Sequence, residues 1–293
     1  MGKVAFVFPG QGNQYVGMGK DLHDKYPAAR KVYELCGDKA IMDLSWNGTK
    51  EELTPTNIAQ PAIFMAGLAG AYSLKEHGIE ADGVAGYSLG EIPALAYSGL
   101  LSVEEAYKFV CFRAESMHTC TLEQQGGMSA VLGLTHQQVE EICAGIPGAY
   151  PVNYNAPSQI VAAYKLEAKD DLMAAVKEAK GKTMPLVVAG AFHSPLMDAA
   201  TEKVRNYLKD TKFNDMARTL YSNVTGKAYG DPKELLADQI NSPVQWQLLI
   251  ENMIADGYDT FIETGPGKSL VAMIKKIDKN VIAKTLEEVM NDV

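Results

Sequence analysis

Gly86-Tyr87-Ser88-Leu89-Gly90 sets a serine between glycines directly after the apolar run Gly83-Val84-Ala85 and ahead of an Ala/Leu-rich helical stretch. That strand-to-helix context turns a G-x-S-x-G string into a nucleophile elbow, because small residues let the chain turn sharply enough to expose the Ser88 hydroxyl at the head of a helix. The chemistry such a serine offers is acyl transfer through an ester on its own oxygen. An ordinary glycine-rich turn is the plainer reading, and the flanking strand and helix weigh against it.

A serine nucleophile needs a base, and the chain has 5 histidines. His23 and His77 sit among charged helical residues, His136 heads a polar helix, and His118 lies near the end of the helix that follows the elbow. His193 differs: it follows Leu186-Val-Val-Ala-Gly-Ala-Phe192, a strand-like run and turn, and precedes the helix-start signal Ser194-Pro195. It is either the base for Ser88 or a histidine bonded to a nearby backbone carbonyl. Arg113 interrupts an apolar stripe of Ala106, Phe109, Val110, Met117 and Cys120 at helical spacing. Burying its charge costs several kcal/mol unless an anion pairs with it. A protein carboxylate, a head group that snorkels to the surface, and a substrate carboxylate gripped by the guanidinium fork all remain open. No H-E-x-x-H or paired Cys/His spacing points to a metal.

The elements that must position these residues follow from the pattern. Lys3 to Phe8 is a continuous apolar strand ending in Pro9-Gly10-Gln11-Gly12, which puts the Gln11 loop and Ser88 at the carboxyl edge of one parallel sheet. Helical spacing runs from Asn57 to His77, and the capping box Ser102-Val-Glu-Glu105 starts a helix to about Thr121. Then come a strand (Met128 to Leu134), a helix (His136 to Ala144), strands Tyr150 to Tyr154 and Gln159 to Tyr164, a helix (Leu166 to Ala179) and a strand (Met184 to Ala189). That is the βαββαβ order of a ferredoxin-like unit. From Pro195 the chain reads as a helix to Lys209, a strand near Arg218 to Ser222, a helix near Pro243, the strand Thr260 to Glu263 and a last helix. The expected fold is an α/β-hydrolase-like core with a parallel sheet, residues 1–124 and 190–293, and an inserted ferredoxin-like subdomain, residues 125–189. A substrate cleft is expected between them.

Composition narrows the partners. The 293 residues carry a net charge of -9 and no Lys/Arg-rich block, which disfavours nucleic acid and anionic membranes. Four cysteines without C-x-x-C spacing fit a reducing cytoplasm, and no apolar run is long enough for a membrane span. A monomer is the default expectation.

Phe8-Pro-Gly-Gln-Gly12, Gly86-Tyr-Ser-Leu-Gly-Glu91, Arg113, Asn153-Tyr-Asn155 with Pro157 and Gln159, Gly190-Ala-Phe-His-Ser-Pro-Leu-Met197, Ser242-Pro-Val-Gln-Trp246 and Glu263-Thr-Gly-Pro-Gly267 together resemble the malonyl-CoA:acyl carrier protein transacylases, in order and over essentially the whole chain. The resemblance implies that Ser88 attacks the malonyl thioester with His193 as base, and that the backbone amides of Leu89 and Gln11 form the oxyanion hole. It further implies that Gln245 orients His193, that Arg113 holds the free malonyl carboxylate, and that Asn155 and Phe192 line the acyl pocket. No cofactor is implied beyond malonyl-CoA as substrate. The implied partner is a phosphopantetheinylated acyl carrier protein, in fatty acid biosynthesis or as a trans-acting polyketide acyltransferase. Carrier proteins are acidic, and Lys182, Lys268, Lys275 and Lys276 are candidates to steer one in. A serine acyl-hydrolase or thioesterase is the competing class, weakened because a general esterase has no reason to bury Arg113. A non-catalytic carrier-docking module is weakened because both Ser88 and His193 are present. Tyr87 in place of the family's usual histidine, Ile92-Pro93 in place of Tyr-Ser, and Ala162-Ala163-Tyr164 at a strand end bear on acyl selectivity.

Overall fold

The strand Lys3–Phe8 alternates its side chains between two apolar layers, with Phe6 and Phe8 in a large core on one side and Ala5 and Val7 in a smaller one on the other. A strand buried on both faces reads as a continuous apolar run, the pattern of a parallel sheet covered by helices. In the computed structural model, which describes residues 2–188 and 190–292, this strand (β1) is the centre of a five-stranded parallel sheet. The remaining strands are β2 Gly83–Gly86, β3 Gly126–Leu132, β4 Ala149–Ala156, β5 Gln159–Lys165, β6 Lys182–Pro185, β7 Thr219–Leu220, β8 Tyr258–Glu263 and β9 Ile282–Thr285. The parallel sheet runs β7-β2-β1-β8-β9.

The other four strands form an antiparallel sheet in the order β4-β5-β3-β6. Helices His136–Ala144 and Lys169–Glu178 interrupt it in sequence, completing the ferredoxin-like βαββαβ unit on an α/β-hydrolase-like core. One face packs Val131 and Ile160 against Val139, Leu172 and Val176 of its own helices. From the other face Met128, Ala130, Val161 and Ala163 enter the large core. Edge strand β4 is also tied back to the larger sheet's chain, since the Tyr154 amide donates to the Val244 carbonyl at 2.9 Å and the Val244 amide donates to the Val152 carbonyl at 2.8 Å.

Close backbone approaches dictate glycine at the elbow. A Cβ on Gly86 would lie 1.9 Å from the Gly90 carbonyl carbon, and one on Gly90 would lie 2.0 Å from the Phe8 carbonyl oxygen. The elbow is therefore seated directly on the end of β1. The helix Thr56–Glu76 is apolar on all sides and buried along most of its length, as expected of a helix in the middle of a core. The capping box at Ser102 forms, with its Oγ accepting from the Glu105 amide and the Glu105 carboxylate accepting from the Ser102 amide.

Three differences from the sequence reading have physical reasons. The strand expected over Met184 to Ala189 is observed as Lys182–Pro185, because the chain turns away after Leu186, where the Val188 amide bonds back to the Leu186 carbonyl at 3.0 Å; Ala189 lies outside the described residues. The helices Lys20–Lys25, Pro27–Cys36, Lys39–Asn47 and Pro232–Asp238 are only 6 to 10 residues long, so each sets just a few apolar residues, such as Ala29, Val32 and Tyr33, into the large core. Strand β9 is only four residues long, at the sheet's edge, where a full apolar run is not needed.

Gly90→Ala is expected to lower stability by about 1 to 3 kcal/mol, the scale of forced overpacking. Thermal melts followed by circular dichroism should show a drop of about 2 to 4 °C per kcal/mol. Gly230→Ala is the control, because nothing lies within 4 Å of its Cβ position.

Candidate active site

The turn after β2 forces Ser88 to a φ of 52°, and His193 has a φ of 61°. Side chains other than glycine rarely occupy that region, and such strain persists only where surrounding contacts fix it. Here they do. The Ser88 amide donates to Asn223 Oδ1 at 2.6 Å, the Ser88 carbonyl accepts from Gln239 Nε2 at 2.8 Å, and the His193 amide donates to the Ile240 carbonyl at 3.1 Å. The two strained residues meet: Ser88 Oγ lies 2.7 Å from His193 Nε2.

His193 Nδ1 lies 2.8 Å from the Gln239 carbonyl oxygen. A carbonyl only accepts, so Nδ1 carries the proton and Nε2 presents its lone pair to the serine hydroxyl. The backbone-carbonyl reading of His193 is met at Nδ1, and it leaves Nε2 facing Ser88 Oγ. Burial, reinforced by the charge of Arg113, lowers its pKa to about 4, while the bond to the Gln239 carbonyl works the other way. The imidazole is neutral at pH 7, as a proton acceptor must be.

Arg113 is fully buried, so its head does not snorkel to the surface. Nη1 donates to Gln60 Oε1 and Nη2 to Gln239 Oε1, each at 2.7 Å, and Nη2 also lies 3.4 Å from Ser88 Oγ. Among the described residues no carboxylate comes within 4.0 Å of the guanidinium, and its Nε has no partner. Burial lowers its pKa to about 10, still far above neutrality, so the group is a cation held by two neutral amides.

The other expected residues are dispersed around this centre. Leu89 is buried behind Ser88, and Gln11 is half-buried with Nε2 donating to Thr56 Oγ1 at 3.3 Å. Neither the Gln11 nor the Leu89 amide has a hydrogen-bond partner among the described residues. Asn155 on β4 accepts from the Tyr87 hydroxyl at 2.7 Å, so Tyr87 joins the elbow to the antiparallel sheet. Phe192 is buried beside His193. Tyr164 packs in the smaller lobe's own core, its hydroxyl 3.2 Å from Ser129 Oγ. Lys182, Lys268, Lys275 and Lys276 are exposed, and Lys276 Nζ reaches Gln159 Oε1 at 2.8 Å. No cluster of metal-ligating side chains occurs among the described residues.

Gln245 is a correction. It caps the helix Trp246–Ala255 with its amide bonded to the Asn223 carbonyl at 2.8 Å, and the carbonyl on His193 belongs to Gln239. Gln239 follows the helix Pro232–Asp238 in the turn that also brings the Ile240 carbonyl to the His193 amide, a placement no local pattern announces. Sequence reasoning also missed Gln60, Asn223 and Tyr229. Gln60 alone left a signal, as a polar side chain in the apolar run Ala59-Gln60-Pro61-Ala62.

An α/β core carrying a serine–histidine pair on a strand–turn–helix elbow defines the class of enzymes that work through an acyl-serine. The acyl transferase domain family matches residues 5–289. A malonyl CoA-acyl carrier protein transacylase of Bacillus subtilis (strain 168) is 36% identical over 292 residues, covering 96% of this chain and 92% of the relative. The crystal structure of the transacylase of that name from Clostridium perfringens superposes with a TM-score of 0.94 at 36% identity, covering 99% of this chain and 96% of that one. A malonyl-transacylase solved in complex with its type II PKS acyl-carrier protein superposes equally well, with a TM-score of 0.94 at 28% identity over 99% of this chain and 100% of that one. The chain belongs to the malonyl CoA-acyl carrier protein transacylase family and is an acyltransferase.

The lowered histidine gives a direct test by NMR. His193 should titrate near pH 4 rather than near its ordinary 6.5, and Arg113→Gln should raise that midpoint by removing a neighbouring positive charge. With the folded pKa below the unfolded one, its contribution to stability is complete above about 6.5 and lost as pH falls through about 4. An unshifted midpoint contradicts the burial argument.

Proposed function

We propose that the protein moves a malonyl group from malonyl-CoA to the phosphopantetheine thiol of an acyl carrier protein, through a malonyl ester on Ser88. The observation that carries this reading is Arg113: a buried cation without a carboxylate partner, 3.4 Å from the Ser88 hydroxyl. An acyl group ending in a free carboxylate supplies the missing anion, and a plain acyl chain does not.

Ser88 Oγ gives its proton to His193 Nε2 and attacks the thioester carbonyl carbon. Negative charge develops on the carbonyl oxygen, and the free amides of Gln11 and Leu89 are the donors for it, each such donor worth ~3 kcal/mol of barrier. Collapse breaks the carbon–sulfur bond, and the leaving thiolate takes the proton back from the imidazolium. The carrier thiol then repeats the steps in reverse, its proton passing to His193 as its sulfur attacks the serine ester. The Gln239 carbonyl holds the imidazole in the required tautomer throughout. Thioester, oxygen ester and thioester follow one another, so the sequence closes without a cofactor. Asn155 and Phe192 border the acyl group in this reading, and the exposed lysines draw in the acidic carrier.

Fatty acid synthesis is the proposed destination of the malonyl-carrier. The solved complex of a 28% identical relative with a type II PKS carrier keeps a second destination in view. Comparing kcat/KM for the two kinds of holo-carrier separates them.

Incubation with malonyl-CoA alone should add one malonyl mass to the protein and none to Ser88→Ala. Arg113→Ala should cost malonyl-CoA ~2 to 5 kcal/mol in kcat/KM, the scale for truncating one member of a buried charge pair. Acetyl-CoA, which has no carboxylate, should lose little. Equal losses for the two substrates would make Arg113 a structural residue and remove the argument for malonyl.

A further inference from the structure

Glu91 opens the helix Glu91–Ser98 directly after the elbow and is fully buried, yet among the described residues it forms no ion pair. Its carboxylate is instead met by three donors. Oε1 accepts from the Tyr229 hydroxyl, and Oε2 accepts from Gln239 Nε2 at 2.8 Å and from the Asn223 amide at 3.2 Å. Two of those three groups, Gln239 and Asn223, are bonded directly to residues of the reacting centre. Gln239 gives its side-chain oxygen to Arg113, its side-chain amide to the Ser88 carbonyl and its backbone carbonyl to His193. Asn223 receives the Ser88 amide on Oδ1 and donates through Nδ2 to the Gly86 carbonyl at 2.6 Å, so it clamps both ends of the elbow.

We infer that Glu91 is the positioning residue that sets the Ser88–His193–Arg113 geometry, acting as a carboxylate that accepts from Gln239, Tyr229 and Asn223. The argument is one of donor and acceptor inventory. A carboxylate is an acceptor only and matches three donors; of the three, only the Tyr229 hydroxyl on Oε1 can turn round to accept from a protonated carboxyl. Protonation there leaves Oε2 a neutral acceptor, so the bond from the Gln239 amide loses its charge assistance and holds the oxygen facing Arg113 less firmly. The carboxamide of Gln239 also lies between Glu91 and Arg113, amide toward the anion and oxygen toward the cation. Arg113 is thereby balanced at one remove while its own hydrogens stay free for a ligand.

The charged and titratable groups facing Glu91 are Tyr229, Arg113 of the helix Val103–Glu123 and, beyond Gln239, His193. Burial lifts the Glu91 pKa to about 7, and the bonds from Gln239, Tyr229 and Asn223 and the charge of Arg113 pull against that rise. The Tyr229 hydroxyl is raised well above its usual value and stays a donor. His193 ionises far lower, so an acid limb near neutrality is not that of the base; burial lifts Glu263 to about 7 as well, and it has no bond to Tyr229, so a limb that moves in Tyr229→Phe belongs to Glu91.

This inference rests on the reading of Ser88 as an acyl carrier, and the experiment separates the two. Single-turnover acylation by malonyl-CoA and by acetyl-CoA is measured from pH 5 to pH 9, normalised to the fraction of protein that finally acylates, and the His193 resonances are followed over the same range without substrate. The wild type should show an acid limb near pH 7, with a small step in the His193 signals at the same pH. Tyr229→Phe removes a bond that lowers the carboxyl pKa, so both features should move to higher pH, with rates recovering toward wild type in alkali. Glu91→Gln should abolish both features and slow both substrates by about ten- to a hundredfold at every pH, unlike the selective loss in Arg113→Ala. A merely structural Glu91 would reduce the fraction that acylates and leave the limb where it was; an unmoved limb and an unmoved His193 step in Tyr229→Phe overturn the inference, even if Glu91→Gln fails to fold. Absence of malonylation in the wild type would instead defeat the preceding reading, and the His193 step would still decide the role of Glu91.

Discussion

Arg113 is a full positive charge in the core with only amide oxygens to hold it. Burying such a charge costs several kcal/mol even after relaxation. Its two hydrogen bonds to amide oxygens, each from a charged donor and worth about 1.5 to 3 kcal/mol, offset part of that. A unit negative charge brought to about 4 Å returns ~4 kcal/mol at an effective dielectric of 20. The molecule is thus built to gain most when an anion arrives next to Ser88. The neighbouring groups fall into place around that constraint: the same charge adds to burial in keeping His193 neutral, and Gln60 and Gln239 grip the guanidinium without satisfying it.

Gln239 is where the constraint is distributed. One residue faces Arg113, Ser88, Glu91 and His193 at distances of 2.7 to 2.8 Å. Because its backbone and side chain serve different partners, it couples the tautomer of His193 to the orientation of the Arg113 guanidinium. The antiparallel sheet adds the outer wall, joined to the elbow through Tyr87 and Asn155 and to the segment after Gln239 through Val244.

The parallel core was legible because buried strands and elbow glycines leave local signatures, as in Val4 to Phe8 and in Gly86 and Gly90. The ferredoxin-like order was legible for the same reason, since its strands and helices switch period cleanly. Ser88 and His193 could be singled out, one by its turn and the other by its junction. What stayed hidden is contact between segments far apart in sequence. Nothing near Gln239 records that its carbonyl will meet a histidine 46 positions earlier, and the nearby Gln245 drew the role by resemblance alone. Glu91 was visible as the end of a motif, but its partners Asn223 and Tyr229 arrive more than 130 positions later.

A crystal structure of the enzyme acylated with malonyl-CoA in the absence of carrier tests the central claim most directly. The account predicts an ester on Ser88 Oγ, its carbonyl oxygen within hydrogen-bond distance of the Gln11 and Leu89 amides, and its free carboxylate on the Arg113 guanidinium. A carboxylate directed out toward solvent, with Arg113 still bonded only to Gln60 and Gln239, would contradict it.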